Sequence, residues 1–362
     1  MDVACPQENI GHDPLMARIL VALSGGVDST AAAHLACNAA QGETNTASDT
    51  VQPGDTIVGV TLLLWGGDQH SRSCSTADRH AAADAANELG IEHIVLDYRD
   101  MFHNTVVQPF AQAAQHGITL NPCLTCNQTF KFGTLVHWAR KQHFDRIVTG
   151  HYARIVGHDG RQWVGRALDR DKDQSYVLAG IDNALGDVAF PLGSMTKTEV
   201  RAIAHQAALS PAGRSESMGL CFDPEKVTTT TPVTLSRNGR NIGEGRIERL
   251  TVGQRWKTGG LEEPLYIGSI DAATATAVLH TATEMFDTTL HVTKWAGTNS
   301  DRVLVQTNAH GKVAPATVNA NSNGATIVFD QPTRRVAPGQ TVVCYSDNDW
   351  DTQRLIGTGI AS

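Results

Sequence analysis

Short apolar runs alternate with helix-like patterns over the first 210 residues of the chain. The apolar runs predict strands at Arg18–Leu23, Ile57–Trp65, His93–Asp97 and Asp145–Thr149. Alanine-rich or amphipathic stretches predict helices at Thr30–Ala40, Ser75–Leu89 and Asn127–Gln142. Ser75 and Thr76 are suitable caps for the second helix. Strands that alternate with helices form a parallel sheet through right-handed crossovers, and ligands bind at the carboxyl ends of its strands.

The pattern changes beyond Pro224, where helical periodicity weakens. Thr228–Thr231 and Asn238–Gly245 are rich in turn residues, and short β-prone runs follow at Val303–Gln306, Ala325–Phe329 and Thr341–Tyr345. Residues 42–56 are predicted to be a polar surface insertion. We therefore predict an α/β protein with an N-terminal parallel-sheet domain, a small central domain and a C-terminal β-barrel, over residues 1–212, 213–286 and 287–362.

Composition places the chain among ordinary soluble globular proteins, with 41% hydrophobic and 18% charged residues. It has no apolar run of about 18 residues and no basic, apolar leader, so we expect a cytoplasmic location and no membrane association. The net charge of −8 argues against a protein that simply coats nucleic acid. The acidic excess lies in the first 230 residues, because residues 231–362 carry 12 Lys plus Arg and 12 Asp plus Glu. RNA contact would then use local basic patches such as Arg237, Arg240, Arg246, Arg249, Arg255 and Lys257.

The segment Ser24–Ser29 reads Ser-Gly-Gly-Val-Asp-Ser between the first predicted strand and the first predicted helix. A strand, tight turn and helix start gather free backbone N–H groups and the positive end of a helix dipole, which favours bound phosphate. No Lys follows the glycines, so the segment is not a Walker A loop. It resembles the pyrophosphate-binding loop (PP-loop) of the ATP pyrophosphatases, which cleave ATP to AMP and pyrophosphate.

Three of the seven cysteines stand in informative positions. Cys123 and Cys126 form a C-x-x-C directly before the helix predicted from Asn127, and Cys221 lies in Gly-Leu-Cys-Phe. A helix start lowers the pKa of a thiol from about 8.5, so Cys126 is the better-placed thiolate. A structural zinc site would need a second paired unit near Cys221, which is missing, and Cys221 alone is also compatible with a buried, inert thiol. The remaining cysteines are predicted to be structural or surface thiols, with Cys37 on a buried helix face: Cys5, Cys37, Cys74 and Cys344.

A set of motifs in a fixed order extends over nearly the whole chain. They are the phosphate loop, N-P-x-x-x-C-N at 121–127, G-H-Y-A at 150–153, K-D-Q-S-Y at 172–176, G-x-C-F at 219–222, V-G-Q-R at 252–255 and P-G-Q at 338–340. Together they resemble the bacterial tRNA-specific 2-thiouridylases of the PP-loop superfamily. The resemblance implies ATP-dependent sulfur transfer to C2 of the wobble uridine, position 34, in the tRNAs for Lys, Glu and Gln, giving 2-thiouridine, AMP and pyrophosphate.

The same resemblance assigns roles to individual residues. It implies that Cys221 carries a persulfide, delivered by a sulfur-relay protein or a cysteine desulfurase, and that Cys126 releases the sulfur and pairs with Cys221 in a disulfide. ATP, with Mg²⁺ on its phosphates, would be lined by Ala22, Leu23, Ser24, Gly25, Gly26, Val27, Asp28, Ser29, Leu62 and Gly150. Contacts with the extruded base or the rest of the tRNA would come from Asn121, Pro122, Cys123, His151, Lys172, Asp173, Gln174, Asn308, Ala309 and Gln340.

Four departures from the family pattern bear on the reaction or on tRNA affinity. Cys123 stands where many relatives have an Asp proposed as a general acid or base. The segment after Phe222 is short and begins Asp223-Pro224 instead of Ile-Gly. Leu250 replaces an aromatic residue. Asn308-Ala309 stands where relatives place an Arg that is thought to hold tRNA.

Other interpretations stay open at this point. Cys123, Cys126 and Cys221 suit an iron–sulfur cluster with one open iron site, which would deliver sulfide without a persulfide. A nucleotide-dependent RNA-binding module without catalysis is a second alternative, and the same ATP chemistry on another acceptor is a third. His151 also fits a satisfied strand-end histidine, and Lys172-Asp173 also fits a solvated turn.

Overall fold

A computed structural model describes residues 16–43, 50–66, 76–210, 219–257, 263–297 and 299–362. The predicted cap Ser75 and the thiols of Cys5 and Cys74 lie outside these residues. Within the described part of the chain, no helix is long and apolar enough to cross a membrane.

A parallel sheet of five strands forms the N-terminal domain, in the order β3-β2-β1-β4-β7. Numbered in chain order, its strands and the hairpin β5–β6 are β1 Arg18–Ala22, β2 Thr56–Leu63, β3 Glu92–Asp97, β4 Arg146–Val148, β5 Arg154–His158, β6 Arg161–Gly165 and β7 Val188–Ala189. The connecting helices include α1 Val27–Ala40 and α2 Thr76–Glu88. All pairings within the sheet are parallel, which confirms the predicted parallel-sheet domain.

Alternation along β1 gives this sheet two buried faces. Ile19 and Val21 pack in one core with the alanines of α1, whereas Leu20 packs in a second core on the opposite face. Cys37 is buried in the first core, as predicted, and burial raises the pKa of its thiol to about 11. The predicted polar insertion at 42–56 is only partly right, because Val51 is buried against the same core.

Helical structure is continuous from residue 122 to residue 141, with a π-helical stretch in its middle. The helices from β3 to the domain end are α3 Arg99–Phe102, α4 Gln108–Gln115, α5 Pro122–Cys126, α6 Leu135–Lys141 and α7 Lys197–Gln206, with π-helical turns at His103–Val107 and Asn127–Thr134. The prediction that this helix begins at Asn127 is wrong. Asn121 is the N-cap, since its Oδ1 accepts from the backbone N–H groups of Cys123 (3.1 Å) and Leu124 (3.3 Å), and Pro122 takes the first helical position.

A second sheet of five strands, in the order β10-β11-β12-β8-β9, forms the central part of the chain. Its elements are α8 Pro224–Val227, β8 Pro232–Arg237, β9 Arg240–Arg246, β10 Arg255–Trp256, β11 Leu265–Asp271 and β12 Thr276–Thr281. The stretch Asn238–Gly245, predicted to be turn-rich, is mostly strand, because only Asn238 and Gly239 form the turn of the β8–β9 hairpin.

Six antiparallel strands close into a C-terminal barrel in the order β13-β16-β15-β14-β17-β18, which confirms the predicted β-barrel. They are β13 Phe286–Gly297, β14 Ser300–Gln306, β15 Ala314–Asn321, β16 Gly324–Arg334, β17 Thr341–Ser346 and β18 Leu355–Ala361. Short 3₁₀ turns complete the fold at Ser175–Leu178, Asp182–Asp187, Pro191–Ser194, Ile247–Arg249, Thr283–Met285 and Trp350–Thr352.

A buried ion pair of the N-terminal domain packs against the barrel. Asp173 Oδ2 lies 3.0 Å from Arg166 Nε, and the two side chains are only 3% and 6% exposed. The Arg166 guanidinium lies between the rings of Tyr345 and Trp350, 4.3 Å from each centroid. Ser175 Oγ completes the contact at 2.9 Å from the Tyr345 hydroxyl. The Asp173 carboxylate, part of a residue predicted to contact tRNA, is thus enclosed where the N-terminal domain meets the barrel.

Removing the Asp173 charge is expected to destabilise the fold. Asp173→Asn leaves the Arg166 guanidinium buried without its counter-ion, which costs about 3–5 kcal/mol in comparable buried pairs. Urea unfolding measures the loss. The control Arg140→Met breaks an ion pair with Asp187 in which the arginine side chain is 56% exposed, and such surface pairs contribute about 1 kcal/mol or less. Equal losses from the two variants would show that the buried pair contributes no more to stability than a surface pair.

Candidate nucleotide and thiol site

The phosphate loop lies where β1 gives way to α1, at the carboxyl end of the central strand. Gly26 is the N-cap residue in an extended conformation, so no side chain caps the first turn of α1. Ser29 Oγ donates to the Gly26 carbonyl (3.0 Å) and accepts from the Ser24 backbone N–H (3.1 Å). These bonds fix the turn and leave the positive helix end facing the loop, which is the arrangement that binds phosphate.

Two glycines are required by close approaches of the backbone. Gly25 has φ +74°, and a Cβ there would lie 2.5 Å from the Asp78 carbonyl oxygen at the start of α2. A Cβ on Gly150 would lie 2.8 Å from the backbone of Asp28 and Ser29. The loop after β4 therefore touches the phosphate loop directly, and a side chain at either position would separate the two.

A cavity of about 220 Å³ opens beside this loop. Seven of the ten residues predicted to bind ATP line it, namely Ala22, Leu23, Ser24, Asp28, Ser29, Leu62 and Gly150. Gly25 and Gly26 form the turn behind it, and Val27 is buried against α7 and its C-terminal extension. His151 and Gln174, predicted as tRNA contacts, also line the cavity, and so do several residues that the sequence did not single out: Thr61, Asp78, Arg79 and Lys131.

Asp28 is held by two donors from distant parts of the chain. Its Oδ1 accepts from Lys197 Nζ at 2.6 Å and from the Tyr152 hydroxyl at 3.0 Å. Lys197 is the first residue of α7 and is buried. The side chain of Asp28 is 32% exposed and lines the cavity. A carboxylate, an ammonium and a phenol thus meet at the start of α1.

His151 is a neutral wall of the cavity. Its Nδ1 lies 2.8 Å from Thr149 Oγ1, and its ring packs against Phe132 and Phe190. Burial, and to a lesser degree the Lys131 charge, hold the pKa of His151 well below its usual value. The imidazole is therefore uncharged near neutral pH, which suits a hydrogen-bonding wall better than an electrostatic contact with the RNA backbone.

The thiols of Cys126 and Cys221 pack against one apolar group, which we call the aromatic cluster: Leu64, Phe102, Val106, Val107, Phe130 and Phe222. Phe222, the neighbour of Cys221, is 3% exposed and has ring contacts with Trp65, Phe102 and Phe110. This side chain fixes the Cys221 segment on α3 and α4, within the cluster against which Cys126 also packs. The structure thus brings both predicted catalytic cysteines to the same cluster.

The aromatic cluster and the cavity share a wall. Leu64 belongs to the cluster and lines the cavity, and Leu62 does the same from the edge of the cluster. Lys131 lies in the π-helical turn that begins right after Cys126, and it also lines the cavity. The nucleotide cavity therefore adjoins the cluster against which the two thiols pack.

The three informative cysteines differ in exposure. Cys123 is exposed in the first turn of α5, whereas Cys126 and Cys221 are half-buried, and no disulfide joins them. Because the helix begins at Pro122, Cys123 and not Cys126 occupies the helix start. The argument that the helix start makes Cys126 the better thiolate therefore fails. Among the described side chains, no group of three His, Cys, Asp or Glu is arranged to hold a metal ion, so the cysteines do not form a cluster ligand set in this conformation.

Several predicted tRNA contacts lie near one end of the barrel. Asn308 and Ala309 follow β14, and Gln340 precedes β17, which pairs with β14 at that end. The same end touches the segment before Asn121, because the Thr119 N–H donates to the Pro338 carbonyl at 2.8 Å. Lys172 is half-buried in the segment that leads to the cavity residue Gln174.

The basic patch predicted in the central domain is only partly available. Arg237 pairs with Glu284, and Arg249 pairs with Glu225. Arg240, Arg255 and Lys257 are exposed. Leu250 is buried in the core of the central sheet, so its departure from the family's aromatic residue concerns packing and not an RNA-facing surface.

A parallel sheet with a Ser-Gly-Gly loop and a cavity at its carboxyl edge defines a nucleotide-binding protein of the PP-loop class. A family model described as the tRNA methyl transferase HUP domain matches residues 17–225, and one described as the aminomethyltransferase beta-barrel domain matches residues 286–360. The tRNA-specific 2-thiouridylase MnmA of Chloroflexus aurantiacus is 36% identical over 370 residues, covering 95% of this chain and 98% of the relative. The MnmA of Syntrophotalea carbinolica is 34% identical over 366 residues, covering 94% and 97%.

The chain therefore belongs to the family of tRNA-specific 2-thiouridylases, which are sulfurtransferase enzymes. Among solved structures, the U34-tRNA thiolase NcsA from Methanococcus maripaludis, with its [4Fe-4S] cluster, is 18% identical with a TM-score of 0.37. The match covers 59% of this chain and 64% of that one. A likeness this weak carries no information about the chemistry of the present chain.

The burial of His151 predicts a pH-dependent stability. Its folded-state pKa lies below the unfolded value of 6.5, so below pH 6.5 the unfolded chain binds a proton that the folded chain does not. The contribution of the neutral His151 to the free energy of unfolding is fully present above pH 6.5. It falls as the pH drops, by up to about 1.4 kcal/mol per pH unit for one group. We expect His151→Asn to flatten urea-unfolding free energies measured from pH 7.5 to 5.5. His34 and His93, whose pKa values burial also lowers, are present in both proteins and cancel. Parallel curves would contradict the assignment.

Proposed function

We propose that this protein uses ATP to adenylate the C2 oxygen of the wobble uridine of tRNA and then replaces the oxygen with sulfur from a Cys221 persulfide. The products are 2-thiouridine at position 34, AMP and pyrophosphate, and the substrates are the tRNAs for Lys, Glu and Gln. Family membership supports the reaction class. The shared wall between the nucleotide cavity and the cluster that holds Cys126 and Cys221 is the observation that carries the proposal.

The reaction needs ATP because the C2 carbonyl of uridine is a poor electrophile. A uridine C2 carbonyl has no leaving group, so its oxygen attacks the α-phosphorus and departs later as part of AMP. The uncapped start of α1 suits the pyrophosphate that this step releases. Arg79 and Lys131 add positive charge to the cavity wall.

Mg²⁺ fits the same cavity. Asp28 and Asp78 both line it, and carboxylate oxygens together with substrate phosphates are the ligands that Mg²⁺ prefers. When bound with ATP, the ion would neutralise charge on the phosphates. The residues of this chain orient the nucleotide around it.

The sulfur step uses two thiols of the protein and balances with one external dithiol reductant. The Cys126 thiolate attacks the inner sulfur of the Cys221 persulfide, which forms a Cys126–Cys221 disulfide and releases hydrosulfide. Hydrosulfide attacks C2 of the adenylated uridine, and AMP leaves with the former oxygen. In the other order, the persulfide attacks C2 directly and Cys126 then resolves the adduct, which gives the same disulfide and product. A dithiol reductant restores both thiols.

The half-buried position of both thiols supports this assignment. Apolar and aromatic side chains border Cys126 and Cys221, and their cluster shares Leu62 and Leu64 with the cavity, so released hydrosulfide would meet few water molecules on its way to the nucleotide. The loop that leads to Asn121, the exposed Cys123 and the barrel end at Asn308, Ala309 and Gln340 give the anticodon loop a continuous face to approach. The target base must be extruded from its stack to reach the cavity.

Sulfur must reach Cys221 from outside. A sulfur-relay protein or a cysteine desulfurase carries sulfur as a persulfide, and a half-buried thiol next to an exposed segment remains open to such a donor. The iron–sulfur alternative has no observation in its favour, because the described part of the chain holds no three-ligand group.

The reaction is tested with anaerobically purified protein, ATP, Mg²⁺, a persulfide or sulfide source and unmodified tRNA-Lys. Digestion and mass spectrometry detect 2-thiouridine. We expect product with the wild type and none, at least a 100-fold decrease, with Cys126→Ser or Cys221→Ser, while ATP binding persists in both. Cys37→Ala removes a thiol that is buried in the core, and this variant is expected to keep full activity.

The pattern across variants separates the alternatives. Unchanged thiolation with Cys221→Ser would remove the persulfide role, and ATP binding without any product would point to another acceptor. A broad visible absorption band that disappears with Cys123→Ser would favour the cluster. A colourless, fully active protein would exclude it.

A further inference from the structure

The C-x-x-C at Cys123 and Cys126 has one thiol that the proposed reaction does not use. Each sulfur transfer leaves a Cys126–Cys221 disulfide, which must be opened before the next persulfide forms on Cys221. Both of these cysteines are half-buried against the aromatic cluster, whereas Cys123 is exposed in the first turn of α5. The rate of thiol–disulfide exchange depends on access to the sulfur that is attacked. An exposed thiol close to a half-buried disulfide is therefore well placed to open it.

Cys126 is common to two pairs of thiols. It shares the aromatic cluster with Cys221, and it shares α5 with Cys123, three residues earlier in the chain. Residues three apart in a helix lie on one face, and helix geometry puts their Cα atoms about 5 Å apart. Disulfides bridge Cα atoms that are about 4.4–6.8 Å apart. The helix thus spaces the backbone of Cys123 and Cys126 for a disulfide.

The first turn of α5 is capped at its start and weakly bonded within the turn. Asn121 Oδ1 accepts from the Cys123 N–H at 3.1 Å, which holds that residue in the helix. The Thr125 N–H donates to the Asn121 carbonyl at 3.4 Å, longer than the usual distance of about 2.9–3.0 Å. Cβ atoms three residues apart in a helix are about 5–6 Å apart, and a disulfide needs about 3.5–4.5 Å. The turn can make this small adjustment because the hydrogen bond that it strains is already weak.

We propose that Cys123 is a second resolving thiol, which moves the disulfide of each turnover from the aromatic cluster to the protein surface. The Cys123 thiolate attacks Cys126 Sγ, the bond between Cys126 and Cys221 breaks, and Cys221 leaves as a thiolate. This exchange is redox-neutral for the protein. The inference rests on the proposed function, because that function supplies the Cys126–Cys221 disulfide.

The exchange gives the reductant an accessible target. One sulfur of the new Cys123–Cys126 disulfide belongs to an exposed residue. A dithiol reductant attacks Cys123 Sγ, Cys126 leaves as a thiolate, and the second thiol of the reductant then releases Cys123. Two electrons pass from the dithiol to the protein, and the reductant departs as a disulfide. Cys221 is available for the next persulfide before this reduction takes place.

A single turnover without reductant locates the disulfide. Anaerobic protein is loaded from the persulfide source that supports thiolation, desalted, and mixed with ATP, Mg²⁺ and unmodified tRNA-Lys. Acidic N-ethylmaleimide stops the reaction and traps the remaining thiols before they exchange. Trypsin leaves Cys123 and Cys126 in the peptide 100–131 and Cys221 in the peptide 215–226. Mass spectrometry therefore distinguishes a disulfide within the first peptide from a cross-link between the two.

We expect the wild type to give 2-thiouridine, a first peptide that has lost two hydrogens, and a second peptide with Cys221 alkylated. Cys123→Ser cannot form the bond to Cys126, so its two peptides should stay cross-linked. Cys37→Ala, which removes a thiol buried in the core, is the control and should match the wild type.

Repeated turnover tests whether the exchange serves the reaction. With a protein dithiol such as thioredoxin, Cys123→Ser should lower the rate of later turnovers relative to its own first turnover by about tenfold or more, because the half-buried disulfide is harder to reach. Dithiothreitol is small enough to reach that disulfide and should restore the ratio. A ratio unchanged by Cys123→Ser overturns the resolving role.

The single-turnover products separate failure of this inference from failure of the proposed function. Thiolated tRNA with the Cys126–Cys221 cross-link retained in the wild type overturns the role of Cys123 and leaves the proposed function in place. Thiolated tRNA with neither disulfide overturns the two-thiol step together with this inference. Absence of thiolated tRNA overturns the proposed function itself, and this inference with it.

Discussion

The contact between the phosphate loop and the loop after β4 determines the geometry of the whole site. Gly150 allows the two backbones to approach at the start of α1, and Gly25 allows α2 to pack against the same turn. Asp28 then reaches Tyr152 and Lys197 across this junction. The carboxyl edge of a parallel sheet places loop ends together in general. Here the two glycines make the approach close enough for the side chains of Tyr152 and Lys197 to donate to one carboxylate oxygen of Asp28.

The helix from Pro122 to Lys141 connects the nucleotide site to the thiols. Cys123 is exposed in its first turn, Cys126 ends α5 and packs against the aromatic cluster, and its π-helical turn carries Lys131 into the cavity wall. The extra residue in a π-helical turn rotates the side chains after it relative to those before it, which allows one helix to serve two neighbouring sites. Asn127 and Gln128 anchor that turn by donating to the carbonyls of Val177 and Ala179.

The parallel sheet and the barrel could be predicted from the sequence, and nine of the eighteen residues that line the cavity were singled out, because apolar runs and the Ser-Gly-Gly loop are local signals. The start of α5 was missed although Asn121 and Pro122 are typical N-cap and N1 residues. The prediction placed the C-x-x-C motif before the helix and not within it. Lys197 carried no signal, because its partner lies 169 residues away and only the tertiary fold brings them together. The enclosure of the Asp173 side chain also escaped prediction, because Arg166, its counter-ion, is held against two rings that come from the barrel.

The K-D-Q-S-Y segment holds the barrel and the cavity in a fixed position relative to each other. Asp173 holds Arg166 beneath the barrel rings, and Ser175 contacts the Tyr345 hydroxyl. Between them, Gln174 lines the cavity and accepts from the Tyr152 N–H at 2.9 Å. Tyr176 then donates to the Thr341 carbonyl, next to Gln340. Because successive side chains of one short segment contact the cavity and the barrel, a shift of the barrel end must also shift the cavity wall. The proposed tRNA face and the nucleotide site are therefore mechanically linked through these residues.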